Sequence, residues 1–281
     1  MGKIIAIVGV GLIGGSVALK CKRSGLASKV IGVDNNPDHC KQALDLGLVD
    51  EILTLDEAID AAEVIILAIP VGAIASILPS LLDKVKNQVV IDMGSTKSLL
   101  AQLVENHPHR GRFVASHPMW GTEYSGPSAA VENAFEQKAV ILCDVEKSDT
   151  DAMETATLLF SSLKMRIIQM NAKDHDLHAA YVSHISHITS FALANTVLEK
   201  EREDNAIFEM ASAGFESTVR LAKSSPDMWT PILMQNKENV LDVLNEHISQ
   251  LRKFKSCLEK ENWEYLNELM SHANQIKRII Q

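Results

Sequence analysis

Two segments carry side chains that could move a proton. In SHPMWGTE, residues 116–123, the β-branched run RFVAS ends at His117, which Pro118 holds ahead of a loop containing Gly121, Thr122 and Glu123. A histidine at a strand end can take the proton of a hydroxyl while hydride leaves the same carbon, because its pKa lies near working pH. The same residue could equally do no more than cap the strand. In GSTK, residues 94–97, Ser95 follows the run QVVIDM at a helix start. It could meet a ligand there, or Ser95 and Thr96 could simply cap the helix with Lys97 exposed.

A third segment, NAKDHDLHAAYVSHISH, places His175, His178, His184 and His187 close together. On one α-helix, roughly 100° per residue puts His175 and His178 near 0° and 300°, but His184 and His187 near 180° and 120°. About 13 Å of helical rise separates His175 from His184, whereas metal ligands lie about 2 Å from their ion. The two pairs face different sides, and no cysteine or carboxylate has the spacing to complete either one. No metal is expected. His184 and His187 are expected to look toward the first half of the chain and His175 to serve a network or interface, with His178 unassigned.

The elements that must position these groups begin with KIIAIVGVGLIGGSVALKCKRSG. Here Gly9-x-Gly11-x-x-Gly14 follows a strand pattern and opens an amphipathic helix. Such glycines permit a tight turn, close approach of backbone to a pyrophosphate, and close packing of helix on strand. Gly9, Gly11, Leu12, Ile13 and Gly14 are therefore expected to hold a dinucleotide. The next strand, KVIGVD, ends in Asp34, where a carboxylate can accept both ribose hydroxyls. Asp34 would repel a 2′-phosphate, and Asn35 and Asn36 follow it instead of an arginine, so NAD is expected over NADP.

Up to about residue 170, strand-like runs (KIIAIVG, KVIGVD, EVIILAI, QVVIDM, RFVAS, KAVILC, RIIQM) alternate with amphipathic segments, which implies βαβ units and a largely parallel sheet. Beyond Asp174 the patterns are helical only, over roughly 175–200, 204–223, 227–259 and 261–280. The fold class is thus an α/β Rossmann-like dinucleotide-binding domain, 1–172, followed by an all-α substrate and dimerisation domain, 173–281. The helical half repeats apolar residues more often than one small core needs, so a homodimer is expected.

The chain has 281 residues, 46% of them hydrophobic, and a net charge of −9, which argues against nucleic acid or an anionic membrane as partner. Its apolar runs are interrupted before bilayer-spanning length, as by Pro70 and Gly72 in VIILAIPVGAIASIL. Four scattered cysteines fit reduced thiols, and the N-terminus runs straight into a strand without signal-peptide zones, so a cytoplasmic protein is expected.

The runs GVGLIGGS, GSTK, SHPMWGTE, DHD at 174–176, SHISH at 183–187 and AGFESTVRLAKSSPDMW at 213–229 together resemble the prephenate dehydrogenases of tyrosine biosynthesis, in order and over most of the chain. That resemblance implies NAD-dependent oxidative decarboxylation of prephenate to 4-hydroxyphenylpyruvate, CO2 and NADH. It implies His117 as the base on the ring 4-hydroxyl, with Ser95 touching that hydroxyl and the nicotinamide end. His187 and Arg220 would bind substrate, Arg220 facing a carboxylate, with Thr122 and Glu123 beside them. Glu123 resembles a residue linked to access and ionic networks in the family. Trp120 stands where members often have a small residue, a departure that bears on pocket shape and substrate preference. A single activity is expected, without a fused chorismate mutase or a regulatory extension.

Three alternatives frame this reading. L-Arogenate differs from prephenate only in an amino group replacing the keto group. The β-hydroxyacid dehydrogenases usually place a catalytic lysine on the long helix opening the second domain, and this chain has none between Lys173 and Lys200. A non-catalytic NAD-binding sensor would not need Ser95, His117 and Arg220 in these contexts.

Overall fold

The computed structural model describes residues 2–201 and 207–279. Its strands are β1 (Lys3–Val8), β2 (Ala27–Val33), β3 (Glu51–Ile52), β4 (Val64–Leu67), β5 (Val89–Asp92), β6 (Phe113–Pro118), β7 (Ala139–Cys143) and β8 (Arg166–Met170). They form one sheet in the order β3-β2-β1-β4-β5-β6-β7-β8. From β3 to β6 neighbours run parallel; β7 is antiparallel to β6, and β8 is parallel to β7. The expected runs all form strands. β3, only two residues long, was not legible as a strand pattern, and the reversal at β7 departs from a simple βαβ series.

The helices packed on this sheet are α1 (Leu12–Arg23), α2 (Pro37–Asp45), α3 (Leu55–Ala61), α4 (Val71–Lys84), α5 (Ser98–Leu103) and α6 (Thr150–Ser162). Central strands read as unbroken apolar runs because both faces are covered. Along β1, Ile5 and Ile7 pack with Val17 and Cys21 of α1 and Phe160 of α6. Ala6 and Val8 pack on the opposite face with Ile74, Leu78 and Leu81 of α4. Local signals start the helices: Asn36 caps α2 with Pro37 in its first turn, and Thr54 and Glu57 form a reciprocal capping box at α3.

After β8 the described residues are helical or in turns. α7 (Ala172–Ala179) passes through a π-helical turn, Ala180–His184, into α8 (Ile185–Glu201). The helix expected over 204–223 begins outside the described residues. Its described part is broken into a 3-10 turn at Phe208–Met210, then α9 (Ala213–Val219), then a second 3-10 turn at Arg220–Lys223. The single helix expected over 227–259 is two, α10 (Pro226–Gln235) and α11 (Lys237–Glu259), broken at Asn236. No helix of the described residues is long and apolar enough to cross a membrane.

The chain divides into two compact units, Met1–Asn236 and Lys237–Gln281. In the second, α11 packs on α12 (Trp263–Ala273) through a turn in which Asn262 caps α12 by accepting from the Tyr265 N–H. Leu251, Leu258, Trp263, Met270 and Ile276 of this unit remain exposed.

Candidate active site

The glycine turn lies at the carboxyl end of β1. Gly9 has φ +93, and a side chain there would strike the Ala68 carbonyl. A Cβ on Gly14 would overlap the Gly9 carbonyl oxygen, so α1 can lie this close to β1 only with glycine at that place. Gly11 differs, because a Cβ there would meet open space with only the Gly126 amide at 4.0 Å. α1 starts with no side-chain cap, leaving the amides around Leu12 and Ile13 to a ligand. Asp34, just beyond β2, accepts from the Val10 and Asn36 amides at 3.1 and 2.9 Å, and His39 stands 3.6 Å from it. Uncapped amides, room at Gly11 and a carboxylate fixed beside them fit a dinucleotide.

β5 and β6 are parallel neighbours, and both end toward the same edge of the sheet. Between β5 and α5 lies the loop carrying Ser95. Lys97, exposed on the helix-cap reading of GSTK, is fully buried. Its ammonium pairs with Asp92 and donates to the Ser116 carbonyl, while Asp92 also accepts the Ser116 and Gly94 amides. Burying two charges is tolerable only with this degree of pairing. Thr96 donates to Gln235 at 2.6 Å, so half-buried Ser95 sits in a loop clamped on both sides.

His117 lies within β6, about one-tenth exposed. Its Nδ1 is 2.8 Å from Nε2 of His175, and Nδ1 of His175 is 2.8 Å from the Asp176 carboxylate. Asp176 accepts from the Lys97 and Ser98 amides as well. Burial pushes the Asp176 carboxyl up, but hydrogen bonds from His175 and the two amides outweigh it and hold it below the usual carboxylate range. Burial, reinforced by His175, Lys97 and His184, lowers the His117 pKa well below its ordinary value, so the ring is neutral at neutral pH.

The π turn overturns the expectation that the histidine pairs face different sides. It adds about one residue to the turn and shifts the phase by roughly 100°, bringing His184 to about 80° and His187 to about 20° from His175. His175 and His184 are both buried, His187 is half-buried, and His178 is exposed. His187 donates from Nδ1 to the Ser183 carbonyl and stacks on Trp229, with centroids 3.5 Å apart; His184 meets the same indole edge-on. Asn236, where the helix breaks, donates to the Asp176 carbonyl and to Nδ1 of His184. Among the described residues no cluster of three His, Cys, Asp or Glu side chains could hold a metal.

Arg220 and Glu123 are brought together, Nη1 to Oε2, at 3.2 Å, and Arg220 is near enough to His187 to help burial lower its pKa. Thr122 accepts the Tyr124 amide within the same loop. Trp120 packs edge-on against Phe135 and into the core cluster on the α1 side of the sheet. Sequence reasoning missed Asp176, Asn236, Trp229 and the burial of Lys97. The signals were present only as motif neighbours: Asp176 directly follows His175, and Trp229 closes PDMW.

A doubly covered sheet with this turn at β1, an acid after β2 and a neutral histidine on β6 defines a dinucleotide-dependent dehydrogenase. The chain belongs to the prephenate dehydrogenase family: residues 17–169 match the family's nucleotide-binding domain and residues 171–272 its dimerization domain. It is 32% identical to a prephenate dehydrogenase of Bacillus subtilis, over 93% of this chain and 72% of that one. A cyclohexadienyl dehydrogenase of Zymomonas mobilis is 31% identical, over 95% and 92%. The crystal structure of the A. aeolicus prephenate dehydrogenase in complex with hydroxyphenyl propionate and NAD+ superposes with a TM-score of 0.90, at 32% identity, covering 100% of this chain and 99% of that one.

Proposed function

We propose that this protein is an NAD-dependent prephenate dehydrogenase, forming 4-hydroxyphenylpyruvate, CO2 and NADH. The observation that carries the reading is a neutral, buried His117 on β6, beside the clamped Ser95 loop and on the same chain as an Arg220 available to a carboxylate. NAD, when bound, accepts the hydride from C4 of the substrate. Gly9, Gly11, Leu12, Ile13 and Gly14 hold its pyrophosphate and Asp34 its ribose hydroxyls. Ser95 orients the 4-hydroxyl, and Nε2 of His117 takes the hydroxyl proton. Loss of CO2 makes the ring aromatic, and His117 returns that proton to the same oxygen, so no net proton is released. Arg220 anchors a carboxylate through its planar fork, with His187, Thr122 and Glu123 shaping the pocket around it.

The working division is a dinucleotide-binding domain, 1–172, and a substrate and dimerisation domain, 173–281. The exposed apolar residues of α11 and α12 support a homodimer, and the protein acts in the cytoplasm. Arogenate is the second reading, supported by the cyclohexadienyl dehydrogenase among the relatives. NADH formation from prephenate and from L-arogenate, each with NAD and with NADP, tests both. Turnover of prephenate with NAD is expected. Turnover of arogenate alone transfers the reading to that substrate, and turnover of neither overturns it.

A further inference from the structure

His117 does not stand alone. Two hydrogen bonds of 2.8 Å run from it through His175 to Asp176, which are contributed by α7 and not by the strand that carries the base. All three side chains are buried. Asp176 is itself fixed by the Lys97 and Ser98 amides, which belong to the segment following Ser95. A carboxylate can only accept, so the proton between Asp176 and His175 sits on Nδ1 of His175. With one proton on each ring, Nε2 of His175 is then an acceptor, and the hydrogen bond between the rings must be donated by Nδ1–H of His117. That leaves Nε2 of His117 with a free lone pair.

Resting on the reading of His117 as the base, we propose that His175, oriented by Asp176, is a positioning residue that fixes the His117 tautomer and stabilises its imidazolium. When Nε2 of His117 takes the substrate proton, Nδ1–H stays on His117. A charged His175 would oppose protonation of His117. With its single proton held on Nδ1 by Asp176 it is instead a neutral acceptor, and the hydrogen bond it receives from Nδ1–H of His117 becomes charge-assisted and strengthens, so the relay favours the protonated base more than the neutral one. The charged and titratable groups that act on His117 are Lys97 from the loop after β5, His175 from α7 and His184 from the π turn, with Asp92 paired to Lys97 and Asp176 to His175. Only His175 is within hydrogen-bond distance of Nδ1 among the described residues. Substituting it removes that contact and its own bond to Asp176, whose carboxylate keeps the Lys97 and Ser98 amides, and leaves Lys97 and His184 in place. The arrangement also ties the base to the Ser95 loop, because the carboxylate that orients His175 holds that loop by two amides.

The test is the pH dependence of kcat and kcat/KM for prephenate in the full-length enzyme, compared with His175→Phe and His175→Gln. Phenylalanine keeps a ring and removes the acceptor, while the glutamine carbonyl can still accept from Nδ1–H. For His175→Phe the expected result is a fall of about 100-fold in plateau kcat, with KM for prephenate little changed. Its acid limb should move to lower pH by about one unit, because the imidazolium loses its stabilising partner. His175→Gln should recover most of both changes; it also carries the test if the phenylalanine variant does not fold, with its own limb then expected near the wild-type position and its plateau within about tenfold of wild type. Unchanged plateau and limb in the variants overturn the relay. Equal losses in both variants with an unmoved limb overturn it too, since that is the behaviour of packing alone. His117→Asn, measured alongside, separates the two readings: an active His117→Asn enzyme removes the base assignment itself, whereas an inactive one with unaffected His175 variants removes only the relay.

Discussion

The guanidinium of Arg220 lies 3.2 Å from the Glu123 carboxylate, joining the turn after α9 to the loop after β6. Arg220 is half exposed, so the pair is weakly held and a substrate carboxylate can replace Glu123 as its partner. Arg220→Gln should raise KM for prephenate about 10- to 100-fold, the worth of a charge-assisted hydrogen bond, with a smaller effect on kcat. Steady-state kinetics with prephenate varied at saturating NAD checks this, and an unchanged KM would place the carboxylate elsewhere.

His117→Asn should lower kcat by about 100- to 10,000-fold, the usual contribution of a general base, while NAD binding persists. In the wild type the base is depressed well below its ordinary pKa, chiefly by burial. A base with a lowered pKa stays neutral further into acid, so kcat/KM should hold steady to below pH 6.5 before it falls. A limb at or above pH 6.5 would contradict that effect of burial.

Two glycines of the turn, Gly14 and Gly11, should separate by experiment. Gly14→Ala forces α1 away from β1 and should cost about 1–3 kcal/mol of stability or more. Gly11→Ala has room in the protein and should leave Tm nearly unchanged while raising Kd for NAD, because its Cβ would enter the space proposed for the pyrophosphate. Thermal melts with NAD titration distinguish the two.

Asp34→Ala should weaken NAD by about tenfold and narrow the preference over NADP, since the carboxylate proposed to receive the ribose is gone and cannot repel a 2′-phosphate. It should also loosen the turn, because Asp34 accepts the Val10 amide. Equal NAD affinity in variant and wild type would move the ribose contact to another residue.

Burial lowers the His184 pKa to about 4, with His175 and His187 acting in the same direction and Asp176 opposing. The folded state therefore binds fewer protons than the unfolded one between about pH 6.5 and 4, and stability falls as pH drops through that window. The shift corresponds to a few kcal/mol at most. Tm measured from pH 7 to 4 should decline, and His184→Gln should flatten that decline relative to wild type.

The cofactor half of the site was legible because its signals are local: a strand period, three glycines and an acid at fixed spacing. The substrate half was only partly legible. A helical wheel assumes one angle per residue, and the π turn at Ala180–His184 breaks that assumption without changing the apolar pattern. The helix break at Asn236 was hidden likewise, since apolar spacing continues across it; the break depends on hydrogen bonds to Asp176 and His184, far away in sequence. Lys97 looked like a surface residue because nothing near it in sequence announces Asp92 as a buried partner. Trp120 raised a question about the pocket; its indole is partly buried and packs edge-on against Phe135 at the margin of the core.

The reversal of β7 has a mechanical consequence. β5 ends at Asp92, paired with Ala115, so the stretch of β6 holding His117 projects past its parallel neighbour. Along that edge side chains hold it instead, Asp92 on the Ser116 amide and Lys97 on the Ser116 carbonyl, while on the other side His117 pairs with Ile141 and Pro118 with Val140. His117 thus rides on a cantilever: braced by a strand along one edge, pinned at its root by Asp92 and Lys97 along the other, and without the slack of a loop. A substitution on β7 that shifted its register would misalign the base without touching the pocket.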